Sequence, residues 1–140
     1  MRYPARILLV EDNEGDAELF REMLKSSGVE HELMVLEDGE KARAFFEGGG
    51  CPDLVVLDLK LPRVSGHQLM RFLQETGRCD DLPVIVLTGS DSPSDKEEAR
   101  RNGALCYLVK PMTVTEMDRT AERFREILLG EADRGCTVSD

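Results

Sequence analysis

Basic charge is scarce in this sequence: 18 Lys and Arg stand against 28 Asp and Glu, a formal net charge of −10. Phosphate backbones demand basic patches, so the balance argues against nucleic acid as a direct partner. An acidic surface favours solubility, basic partners and divalent cations. Long hydrophobic runs are missing too. The first apolar stretch, residues 7–10, is far shorter than the core of a secretory signal. Nothing approaches the ~18 apolar residues of a membrane span. Cys51, Cys79, Cys106 and Cys136 form no CxxC pair, and no histidines are spaced to share a metal with them. They read as buried or incidental thiols in a reduced, cytoplasmic setting. Internal repeats and low-complexity tracts are absent as well.

What remains is a chain of 140 residues, 41% hydrophobic and 33% charged, enough for one domain with one sizeable core. Five short apolar runs recur, at 7–10, 33–36, 54–57, 84–87 and 105–109. Helix-like segments lie between them, so the pattern is a strand and a helix repeated five times. The expected fold is α/β: a doubly wound, five-stranded parallel sheet in the flavodoxin-like order 2-1-3-4-5, with five helices. Residues 1–129 make the domain, and the polar 130–140 reads as a flexible tail.

Each helix has its own punctuation. The first runs from about Glu14 to Ser27, buries Ala17, Phe20, Met23 and Leu24, and stops at Gly28. The second starts after Asp38-Gly39, carries Ala42, Phe45 and Phe46, and is broken by Gly48-Gly49-Gly50. The third follows Gly66 and ends near Thr76-Gly77. The fourth is polar, with Ser94-Asp95-Lys96-Glu97 as a capping-box pattern, and stops at Asn102-Gly103. The fifth, about Thr113 to Leu129, carries Val114, Met117, Ala121, Phe124 and Leu128, and Ile127 and Leu129 widen its apolar stripe.

The stretch Leu54-Val55-Val56-Leu57-Asp58 drives the functional reading. A short continuous apolar run suits a central parallel strand, and Asp58 then sits at the carboxyl edge, where open α/β folds place ligands. A carboxylate abutting a buried strand is costly unless something holds it. Glu11 and Asp12 follow the first strand in the same way. If the first and third strands are neighbours, three carboxylates converge and repel unless a cation neutralises them. Carboxylate oxygens and water are the ligand set of Mg²⁺. Taken alone, Glu11 and Asp12 read as loop acids capping a helix. Thr88 after the fourth run and Lys110 after the fifth change that reading, because a hydroxyl and an ammonium can hold an anionic group beside Asp58. Gly89 leaves room for its approach. A tight turn at Lys110-Pro111 is compatible with either isomer of that bond.

With these residues in view, the chain resembles a response-regulator receiver domain of two-component signalling, over residues 6–129. Glu11-Asp12, Asp58, Thr88 and Lys110-Pro111 carry the resemblance, together with their spacing. Val10-Glu11-Asp12-Asn13 with Gly15-Asp16, and Leu57-Asp58-Leu59 with Leu61-Pro62, further resemble the stand-alone regulators that accompany bacterial phytochromes.

The resemblance implies that Asp58 takes a phosphoryl group from a phosphohistidine on a sensor histidine kinase, a bacteriophytochrome being one candidate. It implies Mg²⁺, or Mn²⁺, held by Asp12, Asp58, the Lys60 carbonyl and Glu11, the last directly or through water. Lys110 and Thr88 would bind the phosphoryl group, and Tyr107 would turn inward with Thr88 and reshape a protein-binding surface. Without the resemblance, Tyr107 is an amphipathic edge-strand residue. Glu11 departs from the Asp found in many members, which weakens its case as a direct ligand.

Lys60 and Ser90 occupy positions that tune hydrolysis of the acyl phosphate, and here they point to a long-lived phosphoform. Kinase docking is expected at Glu14, Gly15, Glu18 and Arg21 and the loop after Lys110. A homodimer through the fourth helix, fifth strand and fifth helix would use Arg119, Glu122, Arg123 and Ile127. Without a second domain, the signal leaves by contact with a downstream protein.

Three other readings compete. An aspartyl-phosphate phosphatase of the haloacid dehalogenase type needs a second Asp two residues after the nucleophile, where this chain has Lys60. A flavodoxin-like cofactor carrier needs a Ser/Thr/Gly-rich phosphate loop, where Glu11-Asp12 would repel phosphate. A receiver-like scaffold that is never phosphorylated has no need of Glu11, Asp12, Asp58, Thr88 and Lys110 together.

Overall fold

The computed structural model describes residues 3–130, together with the backbone of 136–137. Strands and helices alternate along the chain: β1 Ala5–Val10, α1 Glu14–Ser27, β2 His31–Leu36, α2 Gly39–Glu47, β3 Leu54–Leu57, α3 Gly66–Thr76, β4 Val84–Thr88, α4 Pro93–Arg101, β5 Cys106–Val109, α5 Val114–Leu128 and β6 Cys136–Thr137. The sheet order is β2-β1-β3-β4-β5-β6, and every pairing is parallel. The first five strands therefore have the expected 2-1-3-4-5 order, with the crossover helices on both faces. The two-residue β6 beside β5 was not expected; the rest of the supposed flexible tail, beyond Gly130, lies outside the described residues.

The strands are buried on both faces because each face meets helices. Ile7, Leu9, Val56, Ile85 and Leu108 face α1 and α5, where Phe20 and Phe124 meet edge to face at 5.1 Å. Leu8, Val10, Val55, Leu57 and Val86 face the other way, against Phe46 of α2, Leu69 and Met70 of α3 and Ala99 of α4. The period-2 alternation of the strands thus feeds two cores.

Helix boundaries follow local chemistry. Asn13, Asp38, Ser65, Ser92 and Thr113 cap the five helices, each accepting from a backbone N–H in the first turn. Gly28 and Gly77 end α1 and α3 in the left-handed conformation. One expectation needs correction. The fourth helix is capped by Ser92, with Pro93 in its first turn, and not by Ser94. Proline is already suited to that turn, so the helix starts earlier than the capping-box pattern indicates. Ser65 makes a full capping box with Gln68 at the start of α3.

The cysteine expectation is overturned. Cys51 and Cys79 form a disulfide, with Cα atoms 5.8 Å apart, and Cys106 is disulfide-bonded as well. Sequence separation hid the first pair. Cys51 precedes β3 and Cys79 precedes β4, so the parallel sheet brings both to its amino edge. The thiol-based argument for a reduced compartment falls with it. Among the described residues no helix is long and apolar enough to cross a membrane. The Lys110–Pro111 bond is trans; the cis bond among the described residues is Tyr3–Pro4.

Candidate functional site

The carboxyl edge of the sheet gathers the residues singled out above. Val10 and Leu57 are register partners on β1 and β3, so Glu11, Asp12 and Asp58 leave adjacent strands side by side. One carboxylate oxygen from each lies within 4.8 Å of the others. Glu11 and Asp58 are buried, at 5% and 6% exposure, whereas Asp12 is open to solvent. Opposite them stands Lys110. Its Nζ is 2.7 Å from Asp58 Oδ2, 2.8 Å from Glu11 Oε1 and 2.7 Å from Asp16 Oδ2. The Lys60 backbone N–H donates to Asp58 Oδ1 at 3.3 Å.

One ammonium does not neutralise this group of acids. Burial raises the Glu11 carboxyl above its usual value, despite hydrogen bonds from Lys110 and the Asn13 amide, and Asp58 adds to the effect. For Lys110, burial acts to lower the ammonium, but the bonds to Asp16, Asp58 and Glu11 outweigh it and hold the group well above the ordinary lysine value. The nest is short of positive charge on the Glu11 side. Oxygen donors converging there suit a small hard cation such as Mg²⁺ or Mn²⁺, so the residues fit the metal.

Thr88 ends β4 fully buried, and its Oγ1 accepts from the Ser90 N–H at 3.4 Å. A Cβ added at Gly89 would meet nothing within 4 Å, so the space expected beside Thr88 exists. Tyr107 lies inward at 4% exposure, donating its hydroxyl to the Ser90 carbonyl at 2.9 Å. Burial raises the phenol, so the hydroxyl stays a neutral donor. Lys60 is exposed at the pocket mouth. Gly66 explains the shape of the β3–α3 turn. Its N–H donates to the Leu59 carbonyl at 2.9 Å, and a Cβ there would run into the Asp58 carbonyl oxygen.

Of the expected docking residues, Glu14, Gly15, Glu18 and Arg21 line one surface groove, with Glu37 and Lys41 across from them. Of the expected dimer residues, Arg119 and Glu122 are exposed and Arg123 pairs with Glu126 at 3.1 Å. Ile127 is a correction: it is 5% exposed and belongs to the core with Phe124 and Leu128. Of the two residues that widen the α5 stripe, Ile127 packs against α1 and Leu129 is exposed; Arg125 also donates to the Ser27 carbonyl at 2.9 Å.

Three polar residues escaped the sequence reading. Asp16 is the third carboxylate on Lys110, and its signal was its place in the first turn of α1, four residues after Asp12. Asp95 and His67 meet at 3.2 Å across α4 and α3, a pairing that no local pattern announces.

A strand-end aspartate between an acid pair and a lysine, on a parallel sheet whose first five strands run 2-1-3-4-5, is the arrangement of a receiver domain. A model of the response regulator receiver domain matches residues 7–122, and the chain belongs to that family. It is similar to the probable methanogenesis regulatory protein FilR2 of Methanothrix harundinacea, 38% identical over 132 residues, 91% of this chain and 85% of that one. Response regulator Rcp1 of Synechocystis sp. is 35% identical over 120 residues, 81% of this chain and 82% of that one. The crystal structure of the Mn(2+)-bound form of Rcp1 matches with a TM-score of 0.81 at 31% identity, covering 95% of this chain and all of that one. The phosphorylated cyanobacterial phytochrome response regulator RcpA matches with a TM-score of 0.81 at 28% identity, covering 94% and 99%.

Proposed function

We propose that this protein is a response regulator that accepts a phosphoryl group from a histidine kinase phosphohistidine onto Asp58 and thereby switches a protein-binding surface. The observation that carries this is the setting of Asp58: buried, held by Lys110 at 2.7 Å, and flanked by Glu11 and Asp12. In the transfer, the N–P bond of the phosphohistidine breaks and an O–P bond forms to an Asp58 oxygen; the imidazole keeps the bonding pair. Positioning and charge neutralisation carry such a step.

Asp12, Asp58, the Lys60 carbonyl and Glu11, directly or through water, would hold Mg²⁺, with Mn²⁺ able to replace it. When bound, the ion supplies positive charge to the phosphoryl oxygens. Lys110 shifts its hydrogen bond from Asp58 to the new phosphoryl oxygens, and Thr88 presents its hydroxyl to another. Tyr107 is already inward against Ser90, not turned outward as the switch expectation would start it. It is then held there, and the loss of its outward population alters the protein-binding surface. The chain catalyses only its own phosphorylation and dephosphorylation, with Lys60 and Ser90 setting the rate of the latter.

The kinase docks on α1 at Glu14, Gly15, Glu18 and Arg21 and on the loop after Lys110. RcpA is a phytochrome response regulator, which supports a bacteriophytochrome as the kinase. Phosphorylation in the cytoplasm is part of the same reading; there, the Cys51–Cys79 disulfide must resist the thiol pool or be present as a dithiol. A dimer through α4, β5 and α5 would use Arg119, Glu122 and Arg123, and a strict monomer by sedimentation with and without a phosphoryl mimic removes it. Incubation with acetyl phosphate and Mg²⁺ followed by intact mass tests the centre of the proposal. A wild-type adduct that Asp58→Asn lacks supports it, and no adduct on wild type ends it.

A further inference from the structure

A chain of hydrogen bonds leaves the pocket on the side away from the metal-binding acids. Tyr107 donates to the Ser90 carbonyl at 2.9 Å. The Ser90 hydroxyl donates to Asp95 Oδ2 at 2.6 Å and accepts from the Ser92 N–H at 3.2 Å. Asp95 Oδ1 accepts from His67 Nε2 at 3.2 Å, and Glu98 Oε1 lies 3.7 Å from the same nitrogen. A carboxylate only accepts, so Nε2 carries the proton. The other ring nitrogen, Nδ1, is buried and unpartnered. His67 directly follows Gly66, whose N–H is bonded to Leu59, the residue after Asp58. The chain therefore runs from the first turn of α3, beside the phosphoacceptor, through α4 to the inward tyrosine.

Local capping does not account for this arrangement. The α4 N-cap is Ser92, and its hydroxyl already takes the Asp95 N–H at 3.3 Å. The Asp95 side chain is left to reach outside its own helix in two directions, to the β4–α4 loop and to α3. It touches neither Asp58 nor Lys110. Charge-assisted bonds of this kind are short and directional, and here one carboxylate joins three elements.

We propose that Asp95 is a positioning residue for the receiver switch: by clamping the Ser90 hydroxyl and anchoring to His67, it holds the β4–α4 loop where the Ser90 carbonyl can keep Tyr107 inward. The inference rests on the receiver reading for its consequence, a lengthened life of the acyl phosphate, but the clamp itself exists in the unmodified protein. Ser90 has one hydroxyl proton, and Asp95 takes it, so the group cannot donate to a water approaching the phosphoryl group. Release of Asp95 frees both the loop and that proton.

The test uses the full chain with Tyr3→Phe. The sequence has two tyrosines and no tryptophan, so emission then reports Tyr107 alone. In Asp95→Ala, iodide quenching of Tyr107 should rise as the inward-to-outward ratio falls on the order of tenfold, the scale of one hydrogen bond to a charged group. The acetyl-phosphate adduct should decay faster in the same variant. Asp95→Asn keeps an acceptor for Ser90 and a polar contact for His67, and should restore both readouts toward wild type. Ser90→Ala breaks the same bond from its other end without altering charge, and serves if Asp95→Ala does not fold. Wild-type quenching in both Asp95→Ala and Ser90→Ala, or unchanged adduct decay in a folded Asp95→Ala, overturns the proposal. An adduct missing from wild type overturns the receiver reading instead, while the quenching result still decides the clamp.

Discussion

Lys110 holds three carboxylates with one charge, and this imbalance governs the behaviour of the site. Removing one partner of a buried ion group leaves the others uncompensated, so Lys110→Ala should destabilise the protein by about 3 kcal/mol at pH 7. The hydrogen bonds to Asp16, Asp58 and Glu11 raise the Lys110 ammonium above 10.5 in the folded state. Its contribution is thus fully present below that value and lost as pH rises through the folded one. Urea midpoints of wild type and Lys110→Ala should differ by a constant amount from pH 7 to pH 9 and converge only above 10.5. The Glu11 carboxyl is raised as well, so its loss of stability with rising pH has the same direction but falls in the acid range. Burial raises its carboxyl above 4.5, so its ionisation costs stability as pH climbs through the folded value. Glu11→Gln should therefore stabilise the metal-free protein at pH 7 and reduce the further gain on adding Mg²⁺, both read from urea midpoints. If the variant is less stable without metal and gains as much from Mg²⁺, the shortage of positive charge is wrong. Glu11, Asp12, Asp58, Thr88 and Lys110 could all be found from the sequence because each follows an apolar run, directly or, for Asp12, after one residue. Asp16, His67 and Asp95 could not, because their partners lie on other elements.

Helices hold the site by their first turns. α3 begins on Ser65 and Gly66, against the backbone of the residues that follow β3, and both contribute. Ser65→Ala removes the capping box and should cost about 1 kcal/mol. Gly66→Ala places a methyl group against the Asp58 carbonyl and Leu59, an overpacking that costs typically 1–3 kcal/mol. The two variants should separate in function. Ser65→Ala should lower the denaturation midpoint and leave the acetyl-phosphate reaction near wild type. Gly66→Ala should slow it, because the carbonyl-bearing turn after Asp58 has to move. Equal phosphorylation rates in both would show that the turn tolerates the methyl group. Helix existence and apolar faces followed from 3.6-residue spacing, as with Ala17, Phe20, Met23 and Leu24, all buried in α1. The start of α4 did not, because the Ser94 capping-box pattern begins two residues after the cap that the structure shows, Ser92. Ile127 was misplaced for a related reason. A stripe wider than one face looks like surface to spare until the packing on α1 is seen.

At the scale of the whole molecule, the sheet joins two edges with different tasks. The carboxyl edge carries the site, and the amino edge carries the Cys51–Cys79 disulfide. The bridge closes a sequence separation of 28 residues spanning β3, Asp58 and α3. In the chain-entropy account a loop of this size is worth about 3–4 kcal/mol. Reduction should lower the urea midpoint accordingly, and Cys51→Ser should match the reduced wild type. A midpoint unaffected by reductant would mean that the bridge contributes nothing in solution. Because the bridge lies at the far edge, the rate of acetyl-phosphate labelling should change little on reduction.

Sequence alone settled the alternation of strand and helix, because apolar runs of strand length, glycine stops and capping residues are local and periodic; the strand order was an expectation that the parallel pairings bear out. It also located the polar residues at the ends of β1, β3, β4 and β5, since a polar residue at the end of a buried strand has one place to go. Tertiary structure decided what depends on distance between elements. It set the share of Lys110 among three acids, the inward seat of Tyr107 and the meeting of His67, Asp95 and Ser90. It also placed Cys51 beside Cys79. None of these has a period or a fixed spacing along the chain, because each is fixed by how parallel strands and their crossover helices stack.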